Sequence, residues 1–219
     1  KEKYAVIGLA IDPAISEKEV ADYTALTVFG RAEDDKGVAQ GFDEIFSEQG
    51  HWGMYEMAQK VVRIVKDYEP DRIILEEVAF QQVLRVVLTD ELRKNNLFVS
   101  ISRAELGSQE GKKPRDKVSR LLSVLPLMEQ KLVFIRSPEL RDQLLAFPFG
   151  DHDDLVDSAV FCLMWLKNFH KGSVISKPQR IDIGQKKSFY VKEVRPGVFM
   201  AEMGEPPIEI QSNMVNFDK

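Results

Sequence analysis

The 219-residue chain has one cysteine, Cys162, so no internal disulfide staples it. That thiol lies in an apolar run, which reads as a buried, inert group and points to a reducing, cytosolic compartment. One cysteine and three histidines, His51, His152 and His170, are too few for a structural zinc site. No apolar run reaches the roughly 18 residues of a transmembrane helix, and no leader pattern opens the chain. Ser and Cys nucleophile motifs are lacking. Gly107-Ser108-Gln109-Glu110-Gly111-Lys112-Lys113 has three residues between its glycines where a phosphate loop has four, and no Ser or Thr follows the lysine, which excludes that motif. There is no internal repeat and no low-complexity tract. Initiating Met is missing too, and the chain starts directly at its first strand, as expected of a domain excised from a longer polypeptide or of a trimmed tag.

Positive charge is also short. Thirty Lys and Arg against 35 Asp and Glu give a net charge of −5, which taken globally argues against nucleic-acid binding. Global charge is a weak test, because a metal-dependent nuclease needs acids for its ions and confines its basic groups to one groove. One basic concentration exists: Lys112, Lys113, Arg115, Lys117 and Arg120, offset only by Asp116. Taken alone it fits a solvated loop and helix face equally well.

What is present is a folded composition, 44% hydrophobic and 30% charged. Residues 4–12 form a run that is apolar on both alternating faces and ends in Asp12-Pro13. This predicts a strand covered on both sides in the middle of a sheet, with one carboxylate at its tip. Strands are also predicted over 23–30 and 38–46, with short polar links that favour an antiparallel meander. Met54, Ala58, Val61, Val65 and Tyr68 stripe a helix ended by Pro70. A short strand over 72–76, a helix carrying Phe80, Leu84, Leu88 and Leu92, and a strand over 97–101 follow. A polar loop over 107–114 leads to a helix striped by Val118, Leu121, Leu125 and Met128. A strand over 132–135, a short helix over 138–147 and a helix over 155–166 that is apolar all round complete the domain near residue 170. Residues 171–219 read as a separate β-rich tail, with strands over 181–183, 188–194 and 198–202. Antiparallel strands followed by strand–helix alternation predict an α/β domain with a mixed sheet.

Acids stand at the ends of buried elements: Asp12, the pair Glu76 and Glu77, and Asp153, Asp154 and Asp157 around the start of the last helix. Residues three or four apart on a helix share a face, so Asp157 can point the same way as Asp153 or Asp154. Hard oxygen ligands from separate elements, converging on one point, suit magnesium. Two such ions can hold the attacking and leaving oxygens of a phosphodiester displacement. Each acid has a plainer reading, as a helix cap or dipole partner or as a solvated strand end. Together they repel unless a cation lies between them. His152, beside the acids, has two readings: orienting a water or phosphate, or simple solvation.

The segments Ile-Gly-Leu-Ala-Ile-Asp-Pro-Ala at 7–14 with Asp22-Tyr23-Thr24-Ala25 downstream, Leu-Glu-Glu-Val-Ala-Phe-Gln at 75–81 and Asp-His-Asp-Asp-Leu-Val-Asp-Ser-Ala at 151–159 resemble, in that order, the C-terminal nuclease domain of a tailed-bacteriophage terminase large subunit. The resemblance covers about residues 4 to 170, and Asp-Lys-Val-Ser-Arg at 116–120 fits the family's helix that approaches DNA. It implies a ribonuclease H-like fold that uses two Mg2+ or Mn2+ ions to cut concatemeric viral DNA during capsid packaging. Carried over, the metal ligands are Asp12, Glu76, Asp153, Asp154 and Asp157, with Asp12, Glu76 and Asp154 catalytic. The DNA contacts are Lys112, Lys113, Arg115, Lys117 and Arg120. The implied partners are double-stranded DNA, a packaging ATPase domain of the same polypeptide, the small terminase subunit and the portal, in the cytoplasm of an infected bacterium. Neither the phosphate loop of that ATPase nor room for it exists in this sequence. The readings from other classes are another ribonuclease H-like nuclease, such as a Holliday-junction resolvase or transposase, and a non-catalytic DNA-binding or docking module.

Overall fold

A computed structural model of the protein describes residues 3–14, 23–76, 81–104, 117–169, 189–195 and 198–203. The chain divides into a unit over Lys1–Arg180 and a second over Ile181–Lys219. In the second, β7 (Phe189–Arg195) and β8 (Val198–Met203) pair antiparallel as a two-stranded sheet. The strand expected over 181–183 lies outside the described residues.

The first unit is built on one six-stranded sheet, in the order β5-β4-β1-β2-β3-β6. Its members are β1 (Val6–Asp12), β2 (Thr24–Glu33), β3 (Ala39–Gly50), β4 (Arg72–Leu75), β5 (Ser100–Arg103) and β6 (Val133–Phe134). The first three form the expected antiparallel meander, while β4 runs parallel to β1, β5 to β4 and β6 to β3. The fifth strand begins three residues later than its apolar run suggests. Its ladder starts at Ser100 because the partner begins at Arg72, which pairs with it. Leu97 and Val99 still pack against the core without joining the ladder.

Alternation along β1 feeds two cores. Val6 and Ala10 face one side, with α3 (Lys117–Glu129), α4 (Pro138–Ala146) and α5 (Asp154–Lys167). Ile7, Leu9 and Ile11 face the other, with α1 (Met54–Tyr68) and α2 (Gln81–Lys94). On α1 the buried set is Met57, Ala58, Val61, Val62, Ile64 and Val65, and on α2 it includes Leu84, Leu88 and Leu92. Fully burying such aliphatic side chains contributes about 1.5–3 kcal/mol each. Gly8 is where α5 comes nearest to β1: a Cβ there would lie 3.0 Å from Cys162 Sγ and 3.1 Å from the Trp165 ring. No helix among the described residues is long and apolar enough to cross a membrane.

Candidate functional site

The apolar length of α5 sets where its acids lie. Cys162 Sγ donates to the Gly8 carbonyl at 3.3 Å, and burial pushes that thiol up to about 12. Ser158 Oγ donates to the Ala10 carbonyl at 3.2 Å and is 2.9 Å from Thr27 Oγ1. Four helical residues advance about 6 Å and two strand residues about 6.6 Å, so helix and strand stay in step. The next step brings Asp154 level with Asp12. At the N-terminus of α5 the Leu155 N–H donates to Gln143 Oε1 at 3.0 Å, and Gln143 Nε2 donates to Gln49 Oε1 at 2.8 Å. Asp153 occupies the N-cap position, yet its side chain makes no capping hydrogen bond. The cap reading therefore does not hold for Asp153, whose Oδ1 instead accepts from Lys117 Nζ at 2.7 Å.

Asp12 and Glu76 stand side by side because β1 and β4 are parallel and pair Ile11 with Leu75. The Glu76 N–H donates to the Ile11 carbonyl at 3.3 Å, extending that register by one residue. Burial holds the Asp12 carboxyl well above its ordinary value. The charge and hydrogen bond of Glu76 push the same way, followed by the charges of Asp157 and Asp154. Burial also raises the Asp157 carboxyl, against the opposing pull of Arg120 and Lys117. Asp12, Glu76, Asp154 and Asp157 therefore share one electrostatic neighbourhood at the carboxyl ends of two paired strands, while Asp153 joins them through Lys117.

The cations of α3 are placed differently from the expectation. Its buried residues are Arg120, Val124 and Leu127, whereas Val118 is 44% exposed and Leu121 and Met128 are only partly buried. Arg120 does not line an outer face; it is 6% exposed and turned into the acids. Its Nη1 donates to Glu76 Oε1 at 3.1 Å and its Nη2 is 3.2 Å from Asp157 Oδ1. The guanidinium carbon lies 4.9 Å from the Phe161 ring centroid. Lys117, half exposed, bridges Asp153 and Asp157 at 2.7 and 3.0 Å. Burial lowers the Lys117 ammonium, but its hydrogen bonds to both carboxylates outweigh that and leave it raised. Counting apolar residues set the helix phase one step away, because carboxylates on other elements, not solvent, receive the Arg120 side chain. Glu77, Lys112, Lys113 and Arg115 lie outside the described residues.

Solved structures are similar to this chain. The human cytomegalovirus terminase nuclease domain superposes with a TM-score of 0.52 at 13% identity, over 76% of this chain and 86% of that one. A variant nuclease domain of the large terminase subunit of bacterial virus Sf6, with manganese and β-thujaplicinol, gives 0.49 at 10% identity, over 74% and 89%. Fowlpox virus resolvase, in complex with Holliday-junction DNA, gives 0.48 at 16% identity, over 74% and 99%. The fold is ribonuclease H-like. No protein-family model and no curated protein matches the sequence.

Toward the sheet end where Asp12 pairs with Ala25, three rings meet that the sequence reading did not bring together. Tyr23, just before β2, lies 4.2 Å from His51, just after β3, and 4.9 Å from His152, just before α5. Only the β2–β3 register, which pairs Thr24 with Gly50, puts the first two at one sheet end. A hard divalent cation fits the centre by chemistry: every candidate ligand is a carboxylate, and the crowded like charges need a counter-charge. As they stand, no three such side chains among the described residues are arranged around a common metal position. Arg120 and Lys117 supply positive charge there instead.

Proposed function

We propose that the chain is a divalent-metal-dependent DNA endonuclease that cuts concatemeric double-stranded viral DNA during genome packaging. The observation that carries this reading is the meeting of Asp12, Glu76, Asp154 and Asp157, from two strand ends and one helix start, in a partly buried place where acids are otherwise unfavourable. The fold shared with a terminase nuclease domain supports it, as does the order of the three acidic segments in the sequence. Asp12, Glu76 and Asp154, with Asp153 and Asp157 beside them, would hold two Mg2+ or Mn2+ ions. Bound there, such ions supply charge for the attacking and leaving oxygens of a phosphodiester.

The chain's own groups do the remaining work. The rigid end of β1 fixes Asp12. The β1–β4 register holds Glu76 against it, and the ladder from Gly8 to Ala10 sets α5 so that Asp154 and Asp157 face both. Lys112, Lys113 and Arg115, which precede α3, would meet DNA phosphates without reading sequence. A packaging ATPase domain, the small terminase subunit and the portal would be the partners, in the infected bacterial cytoplasm.

Supercoiled plasmid with manganese tests the reading. Asp12→Asn keeps the shape of the ligand but lacks its charge. It is expected to slow nicking on the order of a thousandfold, about 4 kcal/mol in barrier, with the fold intact by circular dichroism. Near-parental nicking by a folded Asp12→Asn protein would sink the reading. Junction-selective cutting by the parent would instead place it with the resolvases.

A further inference from the structure

We infer that Arg120 is the resident counter-cation of the carboxylate cluster: it holds Glu76 and Asp157 together while no metal ion is bound, and the positive charge it leaves there weakens the affinity of the same cluster for a divalent ion. This rests on the reading above, that the cluster takes such an ion.

The geometry is specific to this role. Arg120 uses different terminal nitrogens for two carboxylates on two different elements, Glu76 at the end of β4 and Asp157 in the first turn of α5. The planar guanidinium is suited to bridging of this kind, and it is fixed in place over the Phe161 ring. Burial at 6% exposure means the contact is little screened by water or salt. Its Nε, in contrast, is buried without a hydrogen-bond partner. Among the described residues five carboxylates, those of Asp12, Glu76, Asp153, Asp154 and Asp157, face two side-chain cations, Lys117 and Arg120. Of the two, Lys117 is half exposed, and Arg120 is the one that burial holds in the cluster.

The consequence follows from linkage. A cation that neutralises the acids in the empty protein repels a second cation arriving at the same oxygens. Removing the first must therefore lower the stability of the empty protein and raise its affinity for the second. Arg120→Gln keeps hydrogen-bonding capacity and removes the charge. It is expected to melt below the parent in chelator, to gain more in melting temperature than the parent when manganese is added, and to bind manganese about tenfold more tightly by calorimetry. A purely structural role predicts another pattern: the melting temperature falls equally with and without manganese, and the affinity stays unchanged. That result, or weaker manganese binding, overturns the inference. Arg120→Lys serves as the second variant, since one ammonium is less able than a guanidinium to bridge both carboxylates. It is expected to show an intermediate affinity, and if Arg120→Gln does not fold, an Arg120→Lys affinity no tighter than the parent's overturns the inference. Silence toward manganese in parent and variants alike would overturn the proposed function as well, whereas equal responses in all three would overturn the counter-cation role alone.

Discussion

Two buried arginines mark the two ends of α5, and they do opposite work. Arg31, at the C-terminal end, is 8% exposed. Its Nη1 donates to the carbonyls of Leu166 and Phe169, each at 2.8 Å, and its Nε lies 3.1 Å from Glu33. It meets one carbonyl in the last turn of α5 and one just beyond it, at the negative end of the helix dipole. Arg120, at the N-terminal end, meets the carboxylates of Glu76 and Asp157, and there, among the described residues, the acids outnumber the cations. Each guanidinium stands near a Phe of α5, Phe169 at 6.0 Å and Phe161 at 4.9 Å. One residue type in one kind of pocket is thus a staple at one end and a counter-ion at the other. What separates them is the balance of charge around each, not burial.

The sharpest way to break this comparison is at the staple. Arg31→Met leaves two carbonyls and Glu33 without their cation, and it is expected to cost about 3–5 kcal/mol. Chemical denaturation in chelator and in manganese should give the same loss, because nothing at that end exchanges with an added ion. A loss that manganese repairs would make the two ends alike.

Protons probe the carboxylate end next. Asp12 has a folded-state carboxyl value above its unfolded one. Above that folded value the carboxyl is ionised in both states, and the folded state bears the burden of a buried charge. As pH falls through the folded value, the folded state takes up the proton first and gains stability, until the unfolded chain also protonates near pH 4. Asp12→Asn carries no such burden at any pH. In chelator the variant should therefore melt several degrees above the parent at pH 7, and the gap should close toward pH 4. A gap that is constant with pH would remove Asp12 from the crowded cluster.

The smallest expected effect is at Gln143. Gln143→Ala removes the acceptor of the Leu155 N–H, and it should cost about 1 kcal/mol, in line with the loss of a helix cap. Manganese affinity measured alongside should change little, since Asp153 makes no capping bond that would have to be replaced. A large loss of affinity would mean that the cap positions the acids.

Much of this molecule is legible before folding. A run apolar on both faces, as at Val6–Asp12, has one good solution, a strand with cover on both sides, and it needs no partner to be recognised. The acids at strand tips and at the start of α5 could be read the same way, since an abrupt change from apolar run to carboxylate is a local feature. The β5 ladder could not, because its first residue is set by the strand beside it. Neither could the contacts of Tyr23 with His51 and His152, which join segments brought together only by the fold.

By itself, then, the sequence determined the order of elements, the mixed sheet and which carboxylates stand at element ends, because periodicity and run length act between near neighbours. Tertiary structure alone decided the phase of α3, the cap of α5 and the partners of Arg120. Arg120 and Glu76 are 44 residues apart in the chain. A stripe of Val118, Leu121, Leu125 and Met128 assigns Arg120 to water, as any count of apolar neighbours must. Only when Glu76 and the buried Asp157 are already gathered nearby does the interior become a better place for a guanidinium than the solvent. The physical reason is range: apolar patterns are set by neighbours a few residues away, whereas a buried charge is placed by the charges that the whole fold brings to it.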